Sequence, residues 1–255
     1  MSPPPASLAQ IHERFATASH ADFASAIKMG VWQTTVKASV SCAGIGLHSG
    51  SEVTLTLRPA PADTGIVFIR TDVEPAVEAY IPAVCGSVCD VTLSSKIGNK
   101  FGHVVGTVEH LLAALAGLRV DNAIIEIDGP EVPIMDGSAQ PFIELIERAG
   151  VCELPVSRRV VRIKQAIRVE NSDSYCELVP DTECVFEAEI DFESGAIGRQ
   201  AYEMKMDDGR FDDKVASART FCMLAQVEAM HSAGLALGGS MDNAIVIDGD
   251  KVMNE

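Results

Sequence analysis

Apolar residues at Val108, Leu111, Leu112 and Leu115 recur with the i, i+3, i+4, i+7 spacing of one buried helix face. The pattern predicts a helix with Thr107 as its N-cap and Gly117 at its C-terminal end. At roughly 100° per residue, Glu109 falls on the edge of the apolar stripe and His110 on its far side. Packing needs neither of them. A carboxylate beside an imidazole at a rigid helix start suits metal-assisted hydrolysis, supplying one base and one ligand. Taken alone, the same pair more often marks a solvated surface.

On either side of this helix the period is two. T-T-V-K-A-S-V-S-C (34–42) and S-E-V-T-L-T-L-R-P (51–59) alternate and are expected to form a hairpin. The loop between them, A-G-I-G-L-H-S-G (43–50), places three glycines around His48. That spacing suits either a tight loop or a backbone that approaches a ligand closely. Further strands are expected at 65–70, 89–97 and 121–128. A second helix is expected to be capped by Ser138, with Phe142, Leu145, Ile146 and Ala149 inward and Gly150 closing it. Leu154–Ser157 reads as a linker. Beyond it, strands are expected at 158–170, 174–180 and 184–192, and a helix over 216–234 that starts near Thr220.

D-N-A-I-I-E-I-D begins at Asp121 and D-N-A-I-V-I-D at Asp242, each after a helix ending at glycine (Gly117 and Gly234). This suggests duplication. The expected organisation is an N-terminal appendage (1–30), a first α+β unit (31–153) and a second (158–255). In the second unit the repeated strand is not followed by a helix before Glu255, so the chain is expected to be truncated at its C terminus. A site between two such copies fits the usual location of ligand pockets.

Composition narrows the partners. Lys and Arg number 20 against 36 Asp and Glu, a net charge of −16, which argues against a nucleic-acid or anionic-membrane partner. Seven scattered cysteines read as reduced thiols, and Cys85 and Cys89 lack a second pair for a zinc site. No apolar run is long enough to span a membrane and no signal-peptide core is evident, so the cytoplasm is the expected compartment. Residues 1–30 begin M-S-P-P-P and then allow a short amphipathic helix through Leu8, Ile11 and Phe15, with His12 and His20 facing solvent.

Five motifs carry a resemblance: G-I-G-L-H-S-G (44–50), T-V-E-H-L-L-A-A-L-A-G-L (107–118), P-I-M-D-G-S-A (133–139), A-R-T-F (218–221) and G-G-S-M-D-N-A-I-V (238–246). Together and in this order, they resemble the UDP-3-O-acyl-N-acetylglucosamine deacetylase family of lipid A biosynthesis. The resemblance implies two β-α-α-β units packed face to face, the second here lacking its last helix. It implies Zn2+ as cofactor and hydrolysis of the N-acetyl group of a UDP-linked acyl-glucosamine. It makes His110 a zinc ligand, Glu109 the general base and Thr220 the donor to the oxyanion, with Phe221, His48 and Leu93 lining the substrate pocket. The H-K-x-x-D-x-x-G-D run that carries the family's other ligands does not occur in residues 1–255. Zinc retention and turnover by residues 1–255 alone are therefore not expected. The alternative for this chain is a non-catalytic binding homologue or an inactive fragment. Cys222 stands where the family usually has glycine, and Ser174 near where many members carry a lysine for the nucleotide.

Overall fold

The computed structural model describes residues 32–206 and 213–254. The helix expected near Leu8–Phe15, with His12 and His20, lies outside the described residues. In chain order, the first elements are β1 (Trp32–Val36), β2 (Val40–Ile45), β3 (Glu52–Pro59), β4 (Ile66–Arg70) and β5 (Tyr80–Pro82). Next come β6 (Val88–Asp90), β7 (Lys96–Gly98), β8 (Val104–Val105), α1 (Glu109–Gly117), β9 (Ala123–Ile127), α2 (Gln140–Ala149) and β10 (Val151–Ser157). Then follow β11 (Ile167–Glu170), β12 (Tyr175–Leu178), β13 (Val185–Asp191), β14 (Arg199–Lys205) and the one-turn α3 (Asp213–Ala216). The last are β15 (Phe221–Met223), α4 (Leu224–Ser232), β16 (Ile245–Asp248) and β17 (Lys251–Val252). The class is α+β, as the pattern predicts.

The core lies between α1, α2 and a five-stranded sheet of order β2-β3-β9-β4-β5, antiparallel except for the β4–β9 pair. Strand β3 turns Val53, Leu55 and Leu57 inward, and β9 adds Ala123, Ile125 and Ile127. The helices cover them with Leu111, Ala114, Leu115, Phe142, Leu145, Ile146 and Ala149. Burying each large side chain of this kind contributes roughly 1.5–3 kcal/mol, so α1 is held by packing and its polar residues are free for chemistry.

Several boundaries differ from the expectation. The run 34–42 is two strands, not one: β1 pairs with β10, whereas β2 pairs with β3. Alternation alone cannot register a change of partner. The expected linker Leu154–Ser157 is the second half of β10, paired with β1. Residues 89–97 are split by a turn in which Asp90 Oδ1 accepts the Thr92 N–H at 2.9 Å and Leu93 takes a left-handed φ of 63°. Of 158–170 only β11 is strand. Thr107 does not cap α1, because its φ is 52° and its hydroxyl is bonded elsewhere; Val108 occupies the N-cap position. Gly117 is the last residue of α1 rather than the residue beyond it, and Arg119 takes the left-handed position after the helix at φ 55°. The expected helix from Thr220 starts at Leu224 instead, because Phe221–Met223 form β15, parallel to β16.

The second half forms two ribbons, β11–β12 and β13–β14, and a three-stranded sheet β15-β16-β17. Backbone bonds tie this sheet region to the first half: Ala139 N to Ala216 O (3.1 Å), Thr220 N to Gly137 O (2.8 Å) and Gly238 N to Leu47 O (3.0 Å). Among the described residues no helix is long and apolar enough to cross a membrane.

Candidate functional site

Glu109 is the first residue of α1, where its charge favours the helix dipole. Its Oε2 accepts the Ser95 N–H at 3.0 Å, which fixes the carboxylate toward the β6–β7 turn. His110 follows, half-buried and without a hydrogen bond to any described residue. Leu93 sits two positions before Ser95 in that turn, with its side chain 59% exposed. The turn therefore brings an apolar side chain to the neighbourhood of the pair.

His48 lies on the loop between β2 and β3. It is only 9% exposed, and neither ring nitrogen has a partner among the described residues. Buried polar groups are almost always hydrogen-bonded, so a buried imidazole with both nitrogens open makes His48 a candidate to bond a ligand or a water.

Glu131, which the sequence reading missed, connects the two segments. It is 4% exposed. Its carboxylate accepts the His48 N–H (2.9 and 3.2 Å to its two oxygens), the Ser49 N–H (2.8 Å) and the Thr107 hydroxyl (2.7 Å). Burial works to raise its pKa, but the hydrogen bonds from His48, Ser49 and Thr107 outweigh it and hold the carboxyl below its ordinary value. A Cβ on Gly46 would collide with both Ser49 Oγ and the Glu131 carboxylate, which explains a glycine there. Only the prolines around it, G-P-E-V-P, hint at an ordered loop. A separation of 83 positions between Glu131 and His48 hides the contact from sequence inspection.

This arrangement has a consequence for stability. A carboxyl whose folded pKa is depressed stabilises the fold above its unfolded value, here near 4.5, and loses that contribution as pH falls through the folded value. Glu131→Gln is expected to cost about 2–3 kcal/mol at neutral pH, the scale of lost hydrogen bonds to a charged group. The deficit should shrink as pH falls below the unfolded value and through the lower folded one, where the wild-type carboxyl protonates. Urea unfolding at neutral and acid pH measures both, and an equal deficit at the two pH values would contradict it.

Thr220 belongs to the other half. Its N–H donates to Gly137 O and its carbonyl accepts the Ile245 N–H, both at 2.8 Å, while its hydroxyl has no partner among the described residues. Gly137 has φ 88°, and a Cβ there would strike the Asn243 carbonyl, so only glycine permits this approach. Phe221 is 40% exposed and meets Phe192 edge-on at 5.4 Å and 76°. The structure thus bonds Glu109 to the turn that carries Leu93, and ties the His48 loop through Glu131 to Thr107, two residues before Glu109. Among the described residues no hydrogen bond joins Thr220 or Phe221 to them. One of the ties between the halves is the segment 131–137, bonded to Ile45 through Ile134 N (2.9 Å) and to Thr220 through Gly137.

Among the described residues no three His, Cys, Asp or Glu side chains form a group able to hold a metal. His110 with Glu109 falls short of the three protein ligands that a catalytic zinc takes. The described donors do not complete such a centre, and no chemical step below is routed through one.

The α+β scaffold thus presents a carboxylate fixed at a helix start, an imidazole beside it and a second, buried imidazole without a partner among the described residues, groups suited to proton transfer and ligand binding. The family model for LpxC, UDP-3-O-acyl N-acetylglycosamine deacetylase, matches residues 33–255. The UDP-3-O-acyl-N-acetylglucosamine deacetylase of Pasteurella multocida is 48% identical over 225 residues, 88% of this chain and 73% of that protein. The enzyme of the same name from Haemophilus influenzae (strain 86-028NP) is also 48% identical, with the same coverage. That of Phenylobacterium zucineum is 47% identical over 224 residues, covering 76% of its length. The chain belongs to the UDP-3-O-acyl-N-acetylglucosamine deacetylase family.

Proposed function

We propose that this chain carries the catalytic residues for hydrolysis of the N-acetyl group of UDP-3-O-acyl-N-acetylglucosamine, a cytoplasmic step of lipid A biosynthesis. The observation that carries this reading is the buried, unpartnered His48 imidazole tied by Glu131 to the segment that leads into Glu109 and His110. Glu109 takes the proton of the attacking water as general base. Water adds to the amide carbonyl, the proton that Glu109 has taken passes to the leaving nitrogen as the C–N bond breaks, acetate departs and the sugar keeps the free amine. The Thr220 hydroxyl donates to the oxyanion that forms on the carbonyl oxygen. His48 hydrogen-bonds the substrate, while Leu93 and Phe221 offer apolar surface to its acyl chain. Zinc is the metal the family resemblance implies, and His110 is the ligand this chain would contribute.

The same reading assigns two repeated β-α-α-β units facing each other. Its support is the recurring D-N-A-I. Asn122 and Asn243 are both buried and hydrogen-bond nearby backbone. Each precedes a strand with a parallel neighbour, β9 beside β4 and β16 beside β15.

The experiment is an exchange in which residues 33–255 replace the matched part of the Pasteurella multocida relative, followed by measurement of acetate released from UDP-3-O-acyl-N-acetylglucosamine. Turnover is expected. A folded exchange protein that binds the acyl sugar nucleotide without releasing acetate would overturn the catalytic reading in favour of a binding homologue.

A further inference from the structure

We propose that Glu131 is a positioning residue, whose buried carboxylate clamps the His48 loop and the segment entering α1 into one arrangement. The inference rests on the deacetylase reading only in that it treats His48, Glu109 and His110 as groups that face substrate.

Three donors from two separate segments converge on this carboxylate: the amides of His48 and Ser49 and the hydroxyl of Thr107. Each bond falls on, or a few residues from, a group assigned to the reaction. His48 is held by its own backbone N–H, so Glu131 fixes the main chain from which the ring projects. Thr107 is held in a left-handed conformation that a threonine adopts reluctantly, and its bond to Glu131 compensates for it. Thr107 stands two residues before Glu109, so the clamp also sets where α1 begins. The glycine at 46 leaves room for the carboxylate to reach the loop. Charge is what the clamp requires. A carboxylate is an acceptor at both oxygens, whereas an amide of the same shape turns an NH2 group toward donors already aimed at it.

The test uses the full chain, 15N-labelled, as wild type, Glu131→Gln and Thr107→Val. Two readouts are followed: amide hydrogen exchange at His48 and Ser49 against Ile125 and Ile127 in the core sheet, and the ring 15N resonances of His48. In Glu131→Gln, exchange at His48 and Ser49 is expected to accelerate at least about tenfold, as befits loss of charge-assisted bonds. The core amides should change little, and the His48 ring signals should broaden or double. Thr107→Val, which leaves both amide bonds in place, should alter the same ring signals with a smaller rise in exchange. It keeps the proposal testable if the glutamine variant does not fold. Unchanged exchange and ring signals, or a rise shared equally by the core amides, would overturn the proposal and reduce Glu131 to a generally stabilising residue. Absence of acetate release by the exchange protein would instead count against the deacetylase reading, because these spectroscopic readouts do not depend on turnover.

Discussion

Glu109→Ala is expected to lower kcat for deacetylation by at least about 10²-fold, the lower end of a general-base contribution. The measurement belongs in the exchange protein, with metal content and unfolding temperature determined beside it. Glu109 has two other roles that its loss would disturb. It accepts the Ser95 N–H, and its charge sits in the first turn of α1. The bond is worth about 1 kcal/mol and the dipole interaction about 0.3–1 kcal/mol, enough to lower the unfolding temperature by a few degrees but not to empty the folded state. Glu109→Gln separates these roles. Glutamine keeps an acceptor for Ser95 and cannot take a proton, so it should lose only the dipole interaction of about 0.3–1 kcal/mol and turn over like the alanine variant. If metal leaves with the carboxylate, Glu109 is a ligand; if glutamine restores turnover, its role is to hold Ser95.

Thr220→Val should reduce kcat by about 10²–10³-fold with a much smaller change in KM, as expected when one donor to an oxyanion is removed. The structural alternative is that the hydroxyl caps a helix. That alternative fails on geometry, because Phe221–Met223 form a strand and the helix beyond them begins at Leu224 with Met223 at its N-cap position. What Thr220 does for the fold, it does through its backbone bonds to Gly137 and Ile245, and valine keeps both. A drop of only a few-fold would mean that the hydroxyl does not meet the developing charge.

Much of this architecture is legible in the residues, and the parts that are not have physical reasons. The 3.6-residue stripe of Leu111 and Leu115, and the inward set Phe142, Leu145, Ile146 and Ala149, identify α1 and α2 because burial leaves a periodic mark. Alternation in β3 identifies a strand for the same reason. It says nothing of partners, so the change from β1 to β2 within a nine-residue alternating run was invisible, as was β10 within an apparent linker. Thr107 illustrates a different limit. A threonine before Val-Glu-His reads as a cap, yet a carboxylate 24 residues away takes its hydroxyl and the backbone turns left-handed instead. In β15, local helix-forming residues after Thr220 were overridden by pairing with β16, a contact of long range.

The candidate site divides along the same line. Glu109, His110 and His48 stand out because their chemistry is displayed on a helix start and in a glycine-rich loop. Glu131 and Gly137 do not, since what they do depends on segments that the fold alone brings near. Thr220 and Phe221 were assigned through family resemblance. The structure gives them a support, the Gly137 carbonyl and Phe192, that no local pattern announces.

The central claim is that the scissile amide lies between the start of α1 and Thr220. The structure of the exchange protein with the deacetylated product, UDP-3-O-acyl-glucosamine, tests it most directly. The account predicts the product's free amine within hydrogen-bonding reach of the Glu109 carboxylate, about 2.6–3.2 Å, with the Thr220 hydroxyl facing the space that acetate vacates. A product bound with its amine remote from Glu109, or with the acyl chain occupying that position, would contradict it.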